Sequence, residues 1–214
     1  MAKCYPVSLK LENRECLVVG GGGIAERKVL SLLECGARVK VVSQKITFCL
    51  RQLVEEGLIA YRQGEYHLED LAGIFLAIGA TGNKEVNRRL AGDCQEHNLL
   101  VNIVDDPEHG SFYVPAVARR GSFQIAVSTD GKSPLLARKI REELEQRYGP
   151  EYGELTDLLG AIRERALGEV VDGPRRQSIL AGLVDDDMLR MIREGQWEQA
   201  KERITSNVYL CSRG

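Results

Sequence analysis

Several protein classes are excluded by what this chain lacks. Its six cysteines (Cys4, Cys16, Cys35, Cys49, Cys94, Cys211) include no Cys-x-x-Cys pair, and no histidine lies near them at metal-ligand spacing. Zinc and disulfide frameworks are therefore poor readings, and idle cytosolic thiols a better one. The segment MAKCYPVSLKLENRE has no apolar core of a signal peptide, and no run approaches the ~18 apolar residues of a membrane span. A cytoplasmic protein without membrane association is expected. Charge of one sign is also missing: 29 basic residues mix with 31 acidic ones for a formal net charge of −2. No global field recruits nucleic acid, so an anionic partner must meet a local basic patch. Internal repeats, low-complexity tracts and His-Glu-x-x-His are absent; His67, His97 and His109 stand isolated, and no Tyr is followed by Lys four residues on.

What is present is alternation. The apolar run Cys16 to Val19 ends in four glycines, and Ala25, Val29, Leu32 and Leu33 then recur at helical spacing. Gly36 closes that helix, and Val39 to Val42 reads as a second buried strand. A helix over about residues 47–56, a strand near 59–61, a strand at 74–78, a helix over 83–97 and a strand at 99–104 follow. Helices between buried strands predict a parallel, doubly wound, Rossmann-like sheet. Two β-like runs, 111–117 and 123–128, precede a helix that Ser133-Pro134 opens as cap and first-turn proline. Leu136, Ile140 and Leu144 stripe that helix, and by itself the stripe is best explained as core within the chain. From about Tyr148 the pattern is helical only, broken at Gly149-Pro150 and Asp172-Gly173-Pro174. Leu155, Leu158, Leu159 and Ile162 mark one apolar face there, and Trp197, Ala200 and Ile204 another. The expected division is a Rossmann domain at 1–113, a small α+β segment at 114–147 and an all-helical region at 148–214.

Gly20-x-Gly22-x-x-Ala25 sits between a strand and a helix, the context a dinucleotide fingerprint requires. Gly20 permits the turn, Gly22 close approach of backbone to a pyrophosphate, and Ala25 tight packing, while the helix N-terminus offers N–H donors. No Asp or Glu stands at the end of the second strand for an adenosine ribose; Ser43 is the hydroxyl there and Lys45 the nearest cation. The choice between NAD and NADP stays open on these residues, with NAD favoured. Gly79-Ala80-Thr81-Gly82 forms a second region where a cofactor can approach backbone.

Asp105 and Asp106 stand where the fifth strand leaves the sheet, the edge at which such folds bind ligands. Asp105 is the candidate base, while Asp106 before Pro107 reads as a turn residue and His109 as a solvated one. Arg119, Arg120, Lys132, Arg138, Lys139 and Arg141 gather around Ser128-Thr129-Asp130-Gly131-Lys132-Ser133-Pro134, a cluster suited to a polyanionic small molecule. On the helix, pairs with Glu142, Glu143 and Glu145 offer a blander account of the arginines.

Four stretches together, Val18 to Lys28, Asn102-Ile103-Val104-Asp105, Ser111-Phe112 with Val114-Pro115-Ala116, and Ala126 to Thr129 with Gly131 to Arg138, closely resemble the precorrin-2 dehydrogenase family, the N-terminal part of sirohaem synthases. The match runs through residues 1–147, and the tail resembles that region only in length and character. The resemblance implies oxidation of the octacarboxylate precorrin-2 to sirohydrochlorin with NAD, and in some members insertion of Fe²⁺, with Fe²⁺ or Co²⁺ as transient partners. By motif, Asp105 matches the family's key aspartate, Gly22, Gly23 and Ile24 its first NAD contacts, and Ile46 and Thr47 its second set. Ser128 or Thr129 would supply a hydroxyl to the substrate, beside Lys132, Ser133, Arg119, Arg120 and Arg138. The resemblance also implies a homodimer formed through about residues 114–147. An NAD-sensing module without catalysis and a dehydrogenase of another acidic metabolite are the alternatives; tetrapyrrole binding separates both from the first reading.

Overall fold

A computed structural model describes residues 4–169 and 172–212. The chain divides into two compact units, Met1–Val114 with Asp130–Lys132, and Pro115–Thr129 with Ser133–Gly214.

In the first unit, strands β1 (Glu15–Val19), β2 (Arg38–Ser43), β3 (Ile59–Gln63), β4 (Leu76–Gly79) and β5 (Leu100–Ile103) form one sheet in the order β3-β2-β1-β4-β5. Every pairing is parallel. Helices α1 (Gly23–Glu34), α2 (Phe48–Glu55) and α3 (Lys84–Glu96) make the crossovers. This is the doubly wound, Rossmann-like arrangement predicted from the alternation. Because successive strand residues point to opposite faces, the two sides bury different sets. Cys16, Val18, Val39, Val41 and Ile78 pack with Ala25, Val29 and Leu32 of α1. Leu17, Val19, Val42, Ala77 and Val101 pack with Leu90, Ala91 and Cys94 of α3. Burying each such Val or Leu contributes roughly 1.5–3 kcal/mol, so this two-sided core fixes the strand register and thereby all strand ends on one edge.

One polar group is built into this layer. Asp70 is 4% exposed and receives Lys40 Nζ at 2.9 Å, the Arg62 guanidinium and the His67 N–H at 3.0 Å. Burial alone would raise its carboxyl pKa, but these donors outweigh burial and hold it well below the usual carboxylate range. Cys16 and Cys94 are buried, and desolvation lifts each thiol to about 11, which keeps them protonated and unreactive.

The strand expected over 111–117 begins only after Pro115. Residues 110–112 are instead held against β5: Ser111 N–H donates to Val101 O at 2.7 Å, Val101 N–H to Ser111 Oγ at 2.9 Å, and Asn102 Nδ2 to Phe112 O at 3.0 Å.

The second unit begins with an antiparallel hairpin, β6 (Ala116–Arg120) and β7 (Phe123–Val127), turned by Gly121 at φ +54°. Helices α4 (Pro134–Arg147), α5 (Glu151–Glu169), α6 (Gly173–Ala181), α7 (Asp186–Arg193) and α8 (Trp197–Ser212) follow. The two apolar faces predicted in the tail meet in one core, in which Leu155, Ile162, Ala200 and Ile204 join Met188 and Ile192. The hairpin takes part in that core. Phe123 lies 5.5 Å from Tyr152 and 5.8 Å from Tyr148 by ring centroids, and a side chain on Gly153 would begin 2.5 Å from Arg120 O. The reading of Leu136, Ile140 and Leu144 as internal core does not hold. Leu136 is 50% exposed, Ile140 and Leu144 are half-buried, and Ala137 is the residue of α4 that is buried. Among the described residues no helix is long and apolar enough to cross a membrane.

Candidate active site

The chain leaves β1 through Gly20 at φ +128°, a conformation that only glycine adopts freely. Gly20 N–H donates to Val42 O at 2.9 Å, and a Cβ there would overlap the Ala80 carbonyl at the end of β4. Gly21, the variable position of the fingerprint, is equally constrained: a Cβ would overlap Lys45 O and stand 2.8 Å from Ser43 Oγ and 3.0 Å from Ile46 Cγ2. Gly22 and Gly23 are different. A Cβ on either would meet nothing within 4 Å. The first two glycines thus serve packing between loops, and the next two keep open the space above α1.

That space lies before a bare helix end. Gly22 is the N-cap, with no side chain to offer, and its carbonyl accepts from Glu26 N–H at 3.0 Å. The N–H groups of Gly23, Ile24 and Ala25 precede that first bond and sit at the positive end of the helix dipole. Ala25 is fully buried, drawing the helix onto the sheet, and Ile24 is 39% exposed beside the open glycines. The open cradle and free donors fit a dinucleotide pyrophosphate.

Two more loops close around this one. Ser43 Oγ donates to Lys45 O at 2.8 Å, and Thr47 N–H to Gly21 O at 3.0 Å, while Thr47 Oγ1 accepts from Leu50 N–H at 3.2 Å as the cap of α2. Ser43, Ile46 and Thr47 therefore converge on Gly21, with both hydroxyls already engaged in shaping the loop. Past β4, Thr81 is tied to the buried Asn87 of α3, a residue that carries no fingerprint in the sequence.

Asp105 follows β5 on the same edge, since all strands run parallel. It is exposed, has φ +64°, and forms no ion pair among the described residues. Asp and Asn are among the few side chains that tolerate this left-handed conformation. Asp106 does more than turn the chain: its carboxylate lies 2.8 Å from His109 Nδ1, so His109 is paired.

The tip Asp130–Lys132 belongs to the first unit. A Cβ on Gly131 would stand 2.9 Å from Tyr113 Cε1 and 3.8 Å from Pro107 Cβ, so the tip rests on the segment that follows Asp105. Lys132 is exposed and has no ion pair among the described residues. Tyr113 was not foreseen, because its partner lies eighteen residues on in a loop. In the second unit Ser128 follows β7, Thr129 Oγ1 accepts from Ser133 N–H at 3.0 Å, and Ser133 Oγ accepts from Leu136 N–H at 3.4 Å as the α4 cap. Arg120 donates to Tyr148 O at 3.1 Å and Glu145 O at 2.9 Å, satisfying the C-terminus of α4. Arg119 reaches Gln124 at 3.2 Å, and Arg138 pairs with Glu142 at 2.9 Å. That hydrogen bond keeps the Glu142 carboxyl below its ordinary pKa. The blander, helix-surface account thus describes Arg138.

Comparison with known families decides the kinship. The model described as "Putative NAD(P)-binding" matches residues 7–116, just over half of the chain, and "Sirohaem biosynthesis protein central" matches residues 120–147. The chain belongs to this NAD(P)-binding family. It is 36% identical over 200 residues to "Siroheme synthase" of Actinobacillus succinogenes, covering 94% of this chain and 42% of that protein. It is 35% identical over 199 residues to "Siroheme synthase" of Photobacterium profundum, covering 93% of this chain and again 42% of the relative. The chain thus spans about two-fifths of the length of these curated relatives. Among solved structures, "SirC, precorrin-2 dehydrogenase" superposes with a TM-score of 0.76 at 29% identity, covering 95% of this chain and all of that one.

Proposed function

We propose that this chain dehydrogenates precorrin-2 to sirohydrochlorin with NAD⁺. The observation that carries the reading is the shared edge of the parallel sheet, where an uncapped, glycine-lined helix start and the exposed carboxylate of Asp105 both emerge. Kinship with a protein named for this activity supports it. The N–H groups of Gly22, Gly23, Ile24 and Ala25 hold the pyrophosphate, with the loops of Ser43, Ile46, Thr47 and Thr81 framing the rest. When bound, the nicotinamide accepts the hydride. Asp105 takes the proton that leaves with it, so that one C–H gives its electron pair to the cofactor and a second hydrogen departs as H⁺. Lys132 is the first choice for a substrate carboxylate, with Arg119, Arg138 and the hydroxyls of Ser128, Thr129 and Ser133 in its vicinity in sequence; Arg120 shapes the hairpin.

Residues 1–113 act as the NAD domain, 114–147 as the dimerisation and substrate segment of a homodimer, and 148–214 as a helical domain, in a cytoplasmic protein. Fe²⁺ or Co²⁺ enters as a substrate of a second reaction, in which Asp105 accepts pyrrole protons; no cluster of His, Cys, Asp and Glu able to hold a metal exists among the described residues. Anaerobic incubation with precorrin-2 and NAD⁺ tests the first reaction: sirohydrochlorin absorbance and NADH should rise together. Folded protein that produces neither refutes it. Metal insertion into sirohydrochlorin no faster than the spontaneous rate removes the second reaction alone.

A further inference from the structure

The end of β2 offers no acid to a cofactor ribose, yet the fold brings one there from the neighbouring strand. Ser43 pairs with Gln63 in the β2–β3 register, so Gln44, one residue past that pair, and Glu65, two residues past it, leave the sheet on the same edge. The strand ends are cross-tied: Gly64 N–H donates to Ser43 O at 3.2 Å, Tyr61 Oη to Ser43 O at 2.9 Å, and Gln63 Nε2 to Gln44 O at 3.3 Å. Gln44 Nε2 then donates to Glu65 Oε1 at 3.3 Å. An exposed carboxylate is thereby held beside residue 44, the place at which an acid contacts the ribose hydroxyls in dinucleotide-binding sheets.

We infer that Glu65, oriented by Gln44, is the residue that selects NAD⁺ over NADP⁺. This rests on the dinucleotide reading of the glycine loop. A carboxylate at that point accepts hydrogen bonds from a ribose diol and repels a 2′-phosphate dianion. Two of the three cations nearby do not offset it. Arg62 is committed to Asp70 and to the Glu65 carbonyl oxygen at 2.6 Å, and Lys40 is committed to Asp70. Lys45 is the remaining cation next to Gln44; it is exposed and forms no ion pair among the described residues. Gln44 is a positioning residue here, and Glu65 the group that touches the cofactor.

Calorimetric titration of the whole chain with NAD⁺ and with NADP⁺ tests this. The unmodified protein should favour NAD⁺ by about tenfold or more, the scale of repulsion between a carboxylate and a phosphate dianion near a protein surface. Glu65→Gln should weaken NAD⁺ and strengthen NADP⁺, and Gln44→Ala should move the ratio the same way by less. Lys45→Ala should weaken NADP⁺ without lowering affinity for NAD⁺. An unchanged NAD⁺:NADP⁺ ratio in Glu65→Gln overturns the role of Glu65 while leaving dinucleotide binding intact. Folded protein that binds neither nucleotide overturns the dinucleotide reading itself.

Discussion

Asn87 Oδ1 lies 2.8 Å from Thr81 Oγ1, and the same side chain donates from Nδ2 to the Thr81 carbonyl at 3.1 Å. One buried amide therefore fixes both the backbone and the hydroxyl of the loop that follows β4, which in turn crosses Gly20. Asn87→Ala should cost about 1–3 kcal/mol, the scale for stranding buried polar partners. It should also raise KM for NAD⁺ more than it lowers kcat. Thermal denaturation with steady-state kinetics checks both, and a stability loss without a KM change would restrict Asn87 to the fold.

The four glycines should separate by mutation. Gly22 is extended at φ −85°, ψ −177°, with open space around it, so Gly22→Val should leave stability within about 0.5 kcal/mol and abolish NAD⁺ binding. Gly21→Ala should do the reverse first, destabilising by about 2 kcal/mol because its Cβ overlaps Lys45 O. Chemical denaturation and nucleotide titration on both variants test the division; equal effects would refute it.

Asp105→Asn keeps a residue suited to φ +64° and removes only the carboxylate proposed as the base. It should reduce kcat by about 100-fold or more with NAD⁺ affinity unchanged. Asp105→Ala adds backbone strain of about 1 kcal/mol, so the asparagine variant is the cleaner probe. Full rate in Asp105→Asn would take Asp105 out of the mechanism.

Asp70→Asn leaves Lys40 and Arg62 facing a neutral partner and should destabilise the protein by about 3 kcal/mol. The sign of the pH dependence follows from the depressed carboxyl. Its contribution is complete above the unfolded value of about 4 and is lost as pH falls below that toward the lower folded value. Denaturation midpoints measured from pH 6 downward should therefore drop more steeply for the unmodified protein than for Asp70→Asn. Parallel curves would mean that Asp70 takes up its proton alike in the folded and the unfolded chain.

Leu135 is 66% and Leu136 50% exposed on the first turn of α4. If this surface is the dimer contact, Leu136→Glu should favour monomers in sedimentation velocity, with a loss of roughly 2 kcal/mol per buried leucine at the interface. An unchanged dimer would move the contact elsewhere.

The order of elements in the first unit was legible because its strands are buried on both faces and read as apolar runs between amphipathic helices, as Cys16–Val19 and Val39–Val42 illustrate. The turn at the glycine loop and the position of Asp105 just past β5 were legible as well, since turn chemistry and strand ends are local. Gly21 was not, because what crowds it is the carbonyl of Lys45, a contact made only when two loops meet. Glu65 escaped for a related reason: its adjacency to Gln44 depends on the pairing register of β2 with β3, which spacing alone leaves open. Arg120 looked like a substrate ligand because charge is visible in a sequence, whereas the carbonyls of Glu145 and Tyr148 that occupy it are not. The stripe on α4 misled in the opposite sense: its periodicity was correct, but Ala137 is the residue of α4 that is buried, while Ile140 and Leu144 are half-covered and Leu136 is exposed.

Ser111 satisfies both the N–H and the C=O of Val101 on the outer side of β5, so the backbone groups that an incoming strand would use at that residue are already taken. Gly110 adds to this by lying so near that a Cβ would stand 3.3 Å from the same carbonyl. An unprotected edge of a parallel sheet is a template for aggregation. Here the chain occupies that position itself, so a strand adding to the sheet at Val101 would first have to displace Ser111.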